Sequence, residues 1–336
     1  SIAVRVLTFA GETIDQAWWN EKIAAAYRMR CQLGIAADPQ SDAYRLVHGE
    51  GDNLPGLVVD IYGRTAVIQA HSAGMYFSRE SVVEALKSVL GERLDAVYDK
   101  SSATLPRYAE IDAHDGYLWG KGAGEEVVTE NGLRFRVSWE SGQKTGFFLD
   151  QCDNRALVRH YARGKRVLNT FCYTGGFSVY ALAGGAVQVD SVDSSEKAVE
   201  GCRRNVELNF GTEAPHRAFA INALDYLKDI EGKYDLIILD PPAFAKHRNV
   251  LDNALRGYRR INAEAIRQIA PGGILFTFSC SQAVTREQFR ASIFTAAAMA
   301  GRRVRILHQL TQPADHPVNI YHPEGEYLKG LVLFVE

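Results

Sequence analysis

Apolar and polar positions follow two patterns along this chain. From Arg166 onward, short and almost continuously apolar runs alternate with longer stretches of helical period. The runs predict strands over 166–169, 187–193, 216–220, 234–240, 273–279, 304–309 and 331–335. Strands that do not alternate are buried on both faces, so a mostly parallel sheet covered by helices on both sides is expected. The first third reads as a smaller α/β module. Val4 to Thr8 is strand-like, and Asp15 is placed to cap a helix that runs through Leu33 and ends at Gly34. Gly56 to Asp60 and Thr65 to Ala70 flank a Tyr62-Gly63 turn and predict a hairpin. Ser81 with Glu84 has the spacing of a capping box ahead of Leu86, Val89 and Leu90, with Gly91 as the stop. A glycine-rich stretch from Gly116 to Gly124 marks the expected boundary, and Glu130-Asn131-Gly132-Leu133 is a hairpin signal leading into Arg134 to Trp139. The expected organisation is a small α/β domain over 1–124 and a larger α/β domain over 125–336 that opens on a β-hairpin.

Three strand ends carry the chemistry. Val167 and Leu168 run into Asn169-Thr170-Phe171-Cys172-Tyr173-Thr174-Gly175-Gly176-Phe177, a glycine-containing turn opening a helix, and the next strand delivers Asp193. A small-residue turn, free helix N–H groups and a carboxylate for ribose hydroxyls make a nucleotide crevice in an open α/β sheet. A dinucleotide fingerprint needs three spaced glycines, and only the Gly175-Gly176 pair is present, which favours S-adenosylmethionine. The apolar run from Tyr234 stops at Asp240-Pro241-Pro242, where two prolines stiffen the loop beside a carboxylate. The run from Gly272 stops at Ser279-Cys280-Ser281. Ligands bind outside the carboxyl ends of parallel strands, so Asp193, Asp240 and Cys280 are expected on one edge, where a thiol can attack C6 of a pyrimidine.

Composition narrows the setting. With 336 residues, 46% hydrophobic and 23% charged, the chain suits two globular domains. No apolar run reaches the length of about 20 residues that spans a bilayer, so no membrane partner and a cytoplasmic location are expected. Five widely spaced cysteines without a Cys-x-x-Cys pair support neither a disulfide framework nor a metal site. The net charge of −2 excludes a globally basic nucleic-acid binder and leaves local contacts. The local candidate is Lys246 to Arg260, in which Lys246, Arg248, Arg256, Arg259 and Arg260 face one acid, Asp252. A solvated helix face is the plain alternative.

Together, Lys144-Thr145-Gly146-Phe147-Phe148-Leu149-Asp150-Gln151, the Tyr173 to Phe177 turn, Asp240-Pro241-Pro242, Phe278-Ser279-Cys280-Ser281 and Ala314-Asp315-His316-Pro317 resemble the bacterial 23S ribosomal RNA cytosine-5 methyltransferases of the PUA-domain-containing kind. The resemblance runs from about Arg5 to the C-terminus. It implies a class I, Rossmann-like methyltransferase fold with a mostly parallel seven-stranded sheet behind a small α/β domain. It also implies S-adenosylmethionine as cofactor, 23S ribosomal RNA as partner, and an N-terminal RNA-binding PUA domain that this chain lacks. A role for 1–124 in positioning RNA, and a homodimer, are left open.

The resemblance assigns the cofactor to Gln151, Asn169, Phe171, Tyr173, Thr174, Gly175, Asp193, Ser194, Asn222, Ala223, Asp240 and Pro241. Asn222 stands where the superfamily often has an aspartate that accepts from the adenine amino group, and Gln151 is the candidate for the methionine moiety. Asp240-Pro241-Pro242 is shared with enzymes that methylate exocyclic amino groups, but there the fourth residue is usually aromatic, and here it is Ala243. Cys280 and Asp240 are the catalytic candidates, the thiolate adding to C6 and the carboxylate holding the base near N3 or its amino group. Cys172 is the competing thiol, expected to pack behind the turn, while Cys152 and Cys202 read as structural. Lys144, Phe147, Phe148, Lys246, Arg256, Arg259 and His316 are the substrate candidates, with buried loop aromatics and a turn histidine fixed by Pro317 as the plain alternatives. Two other functions stay open: a methyltransferase of the same fold acting on guanine or another RNA position, and a non-catalytic RNA-binding assembly factor.

Overall fold

Asp15, in extended conformation, accepts a hydrogen bond from the Trp18 amide and so opens α1 (Gln16–Gln32), which Leu33 caps just before Gly34 turns away at φ +75°. Five strands follow, β1 (Ala43–His48), β2 (Leu57–Tyr62), β3 (Thr65–Ala70), β4 (Ala96–Asp99) and β5 (Gly116–Trp119), paired in that order. β3 and β4 are parallel, with α2 (Ala73–Phe77) and α3 (Arg79–Leu90) between them in sequence, and every other pair in this sheet is antiparallel. Trp19 and Ile23 of α1 and Leu86 of α3 share one apolar core with Leu46, Val59 and Ile68 of the sheet. A hairpin of β6 (Glu125–Glu130) and β7 (Leu133–Ser138) turns through Asn131 and Gly132 at φ +51° and +77°, as the Asn-Gly pair predicts.

The second half builds a seven-stranded sheet. Its elements in chain order are α4 (Cys152–Tyr161), β8 (Arg166–Thr170), α5 (Gly176–Ala183), β9 (Gln188–Asp193), α6 (Glu196–Phe210), β10 (His216–Ala220), α7 (Ala223–Tyr226), β11 (Leu236–Leu239), α8 (Leu251–Gln268), β12 (Gly273–Ser279), α9 (Arg286–Ala300), β13 (Val304–Leu310) and β14 (Lys329–Val335). The strand order is β10-β9-β8-β11-β12-β14-β13, parallel throughout except for β14, which runs antiparallel to both neighbours. Burial of both faces explains the unbroken apolar run of β11. Ile237 and Leu239 pack with Tyr258 and Ile261 of α8 on one side, and Leu236 and Ile238 pack with Val158 of α4 and Phe177 of α5 on the other. The chain winds outward from β8 in one direction and from β11 in the other, so the order reverses between these two strands. That reversal is where an open α/β sheet leaves a crevice for a ligand.

The structure, a computed structural model, describes residues 4–106, 110–244 and 251–336. Two units result, one running to Asp150 and including Pro313–Gly325, the other comprising Gln151–Gln312 and Glu326–Glu336. The boundary expected at 124/125 lies inside the first unit. Two local expectations are corrected. Val4 to Thr8 is not a strand: Val4 and Val6 are 77% and 48% exposed, and no ladder pairs them. Ser81 opens no capping box, because α3 already begins at Arg79, after Ser78, which also caps α2.

Candidate active site

The turn after β8 is held in a conformation that few side chains adopt. Phe171, Tyr173 and Gly175 have φ of +55°, +46° and +81°, and two of the three are not glycine. Such backbone persists only where neighbours over-determine it, and it gathers at ligand sites. Here the restraints are visible. Asp193 Oδ2 accepts from the Tyr173 amide at 3.0 Å, Asn205 Nδ2 donates to the Thr174 carbonyl at 2.9 Å, and the Gly175 amide closes on the Cys172 carbonyl at 2.8 Å. A Cβ on Gly175 would lie 2.4 Å from Cys202 Sγ, so both the positive φ and the close approach require glycine there. Beneath the turn a buried polar chain runs from Asn169 Nδ2 to Ser178, on to Ser191 and then to His216. Asn169 Oδ1 has no hydrogen-bond partner among the described residues, an open acceptor buried at the base of the crevice.

These features fit S-adenosylmethionine. Asp193 Oδ1 accepts from the Ser195 amide and Oδ2 from Tyr173, so each oxygen keeps a lone pair for a ribose hydroxyl. Ser194 is exposed beside it. Asn222 caps α7, its Oδ1 accepting from Leu224 at 2.9 Å and Asp225 at 3.4 Å, so the oxygen read as an adenine acceptor already serves a helix end; Ala223 is buried behind it. Replacing Asp193 with alanine removes a charge-assisted acceptor and frees the Tyr173 amide. Affinity for S-adenosylhomocysteine is expected to drop about tenfold to a hundredfold by calorimetry. An unchanged constant would remove Asp193 from the site.

Across the reversal point, Gln151 Nε2 donates to Asp240 Oδ2 at 3.0 Å, while Gln151 Oε1 accepts from Asn154 at 2.6 Å. The two residues read separately from the sequence are thus neighbours, and the buried amide fixes the orientation of the carboxylate, with Pro241 next in the chain. Cys280 follows β12 directly and is partly exposed, whereas Cys172 and Cys202 are buried. The hydrogen bond with the Cys202 sulfur and burial push the Cys172 thiol well above its usual range. Both neighbours of Cys280 are anchored on α8: Ser279 Oγ bonds the Tyr258 hydroxyl at 2.8 Å, and that hydroxyl bonds Ser281 Oγ at 2.9 Å. Tyr258 lies within the basic segment Lys246 to Arg260, where nothing local marks it for this role.

The substrate candidates divide. Arg256 and Arg259 line a groove with Gln288 and Ser292 of α9, and Lys246 lies outside the described residues. Lys144 pairs with Asp150 at 2.7 Å and sits 4.5 Å over the partly exposed Phe148 ring. Phe147 is corrected to a core residue: it is buried and packs on Phe135 with ring centroids 5.1 Å apart. His316 is likewise buried, 2.7 Å from Asp315 and 5.0 Å from the His48 ring. It belongs to a polar network in which Arg45 pairs with Asp60, the Arg45 amide donates to Asp315, and Tyr62 and Thr145 join at 2.9 Å. Burial beside Arg45 holds His48 neutral, down to about 2. Among the described residues no side-chain group is arranged to hold a metal, and no helix is long and apolar enough to cross a membrane.

A sequence model of the S-adenosylmethionine-dependent methyltransferases matches residues 101–320. The ribosomal RNA large subunit methyltransferase I of Klebsiella pneumoniae (strain 342) is 40% identical over 335 residues, covering 98% of this chain and 82% of that protein. Its namesake from Pseudoalteromonas atlantica is 39% identical over 339 residues, covering 98% and 84%. A solved structure described as a methyltransferase complexed with S-adenosylhomocysteine aligns with a TM-score of 0.86 and 25% identity over 98% of this chain and 84% of its own. A match of that extent, on a sheet whose crevice fits the cofactor, means that the chain belongs to the S-adenosylmethionine-dependent methyltransferase family.

Proposed function

We propose that this chain methylates C5 of a cytosine in large-subunit ribosomal RNA, with Cys280 as the nucleophile. The substrate class is supported by two relatives, each about 40% identical, that carry the name ribosomal RNA large subunit methyltransferase I. The observation that carries the chemistry is Cys280, a partly buried cysteine at the carboxyl end of β12 whose flanking serines are pinned to Tyr258.

C5 of cytosine is too weak a nucleophile to take a methyl group unaided. Attack of the Cys280 thiolate forms an S–C6 bond and makes C5 enamine-like. When bound, S-adenosylmethionine supplies an electrophilic methyl group on a sulfonium. Asp240, oriented by Gln151, hydrogen-bonds the base near N3 or its amino group and fixes the ring for transfer. Loss of the C5 proton then breaks the S–C6 bond and restores the thiolate. The base must leave its stack to meet the thiol, which favours an exposed RNA segment. The small 1–124 region is proposed to help position that RNA.

Digestion of RNA methylated by the protein, followed by mass spectrometry of the nucleosides, tests the reading. It requires 5-methylcytidine; a methyl group on guanosine or on an exocyclic amine replaces it with direct transfer. The Arg256 and Arg259 groove is proposed to contact phosphate. Reversing both charges to glutamate is expected to weaken RNA binding and flatten its salt dependence, each phosphate contact adding about one unit of slope. Cofactor affinity should not change. Equal losses in both assays would make these arginines structural.

A further inference from the structure

Lys329 is a lysine in an unusual place. It opens β14, directly opposite Ser279 in the antiparallel pair with β12, and is only 4% exposed. Lysine is rarely buried without a specific partner. Its ammonium donates to the carbonyl of Ser281, the residue after Cys280, at 2.8 Å. The next residue must be glycine, because a Cβ on Gly330 would lie 2.6 Å from the Phe278 ring, so β14 presses flat against the end of β12 here. The Ser279-Cys280-Ser281 backbone is thus gripped from two sides, by Tyr258 through the serine hydroxyls and by Lys329 through a carbonyl.

We propose that Lys329 is the positioning residue of Cys280: its buried ammonium, fixed on the Ser281 carbonyl, keeps the neighbouring sulfur as a thiolate in the resting protein. The proposal rests on the reading of Cys280 as nucleophile. The charges around the pair agree with it. Burial brings Lys329 down to about 8, and the charge of Cys280 acts in the opposite direction, so each group favours the charged form of the other. The other ionisable groups that act on Lys329 are Glu326 and Arg286, and these form an ion pair with each other. On the α8 side the facing group is the Tyr258 phenol, which burial pushes up and keeps neutral. Sequence inspection would class Lys329 as an ordinary solvated charge at a strand end.

The test reads the thiol itself and needs no RNA. The rate at which iodoacetamide alkylates Cys280, with the thiolate displacing iodide, is followed against pH by mass spectrometry of the Cys280 peptide, and each profile is scaled to its own high-pH limit. In the parent protein the midpoint is expected below the ordinary thiol value of about 8.5. In Lys329→Met it should rise by about one pH unit or more, cutting the scaled rate near neutrality about tenfold. Lys329→Arg keeps the charge and should stay within about twofold of the parent. Unchanged S-adenosylhomocysteine affinity in both variants verifies the fold. A Lys329→Met midpoint equal to the parent's overturns the proposal. If that midpoint is unshifted while Cys280→Ala is inactive, only the role of Lys329 fails. A shifted midpoint together with an active Cys280→Ala protein leaves the charge pair standing and removes the cytosine-5 reading.

Discussion

Replacing Cys280 with alanine is expected to lower methyl transfer to RNA by at least about a thousandfold, on the order of 4 kcal/mol of transition-state stabilisation. Binding of S-adenosylhomocysteine should stay within about twofold, because Cys280 follows β12 whereas the turn and carboxylate proposed to hold the cofactor follow β8 and β9. Single-turnover kinetics separate the chemical step from binding. Cys172→Ala is the informative control. Cys172 is buried in the turn after β8 that is proposed to hold the cofactor, so its loss should weaken cofactor binding and leave chemistry intact once the cofactor is saturating. A Cys280→Ala protein working at the parent rate would remove covalent catalysis from the account.

The second large effect lies far from the chemistry. Asp60 is fully buried and pairs with Arg45 through two hydrogen bonds, at 2.7 and 2.9 Å, while also accepting from Thr145. Asp60→Ala leaves the Arg45 guanidinium without its carboxylate in a dry setting. Breaking one partner of a buried ion pair costs about 3–5 kcal/mol. The urea midpoint for unfolding of the first unit should therefore fall sharply. Thr145→Val, which deletes one neutral donor to the same carboxylate, should cost about 1–2 kcal/mol. Equal midpoints for the parent and Asp60→Ala would mean that this network contributes nothing to the stability of the first unit.

These two regions differ in how far the sequence reveals them. The seven-stranded sheet was legible because strands buried on both faces leave unbroken runs such as Leu236 to Leu239, and the residues that end those runs, Asp193, Asp240 and Cys280, sit on one edge by topology alone. The Arg45 and Asp60 pair was not legible. Each residue interrupts an apolar strand and looks like a polar face, and only the register that sets them opposite one another makes them a buried couple. Lys329 and Tyr258 were hidden for the same reason, since their partners lie about 50 and 20 residues away along the chain. Phe147 and His316 stood out as aromatic and titratable side chains in motif-rich loops. Burial, which no local pattern reports, places Phe147 against Phe135 and His316 in a polar network. Val4 and Val6 show the converse, a β-type pattern with nothing to pair against.

The most direct test of the central claim is a covalent trap. In RNA carrying 5-fluorocytidine the substituent at C5 cannot leave as a proton, so the adduct formed by the thiolate cannot resolve after methyl transfer. With S-adenosylmethionine present, the protein should become joined to the RNA, and peptide mapping should place the bond on Cys280, with no adduct in Cys280→Ala. Methylation of unmodified RNA with no trapped species on the fluorinated RNA, or a bond mapped to any other residue, would contradict the account.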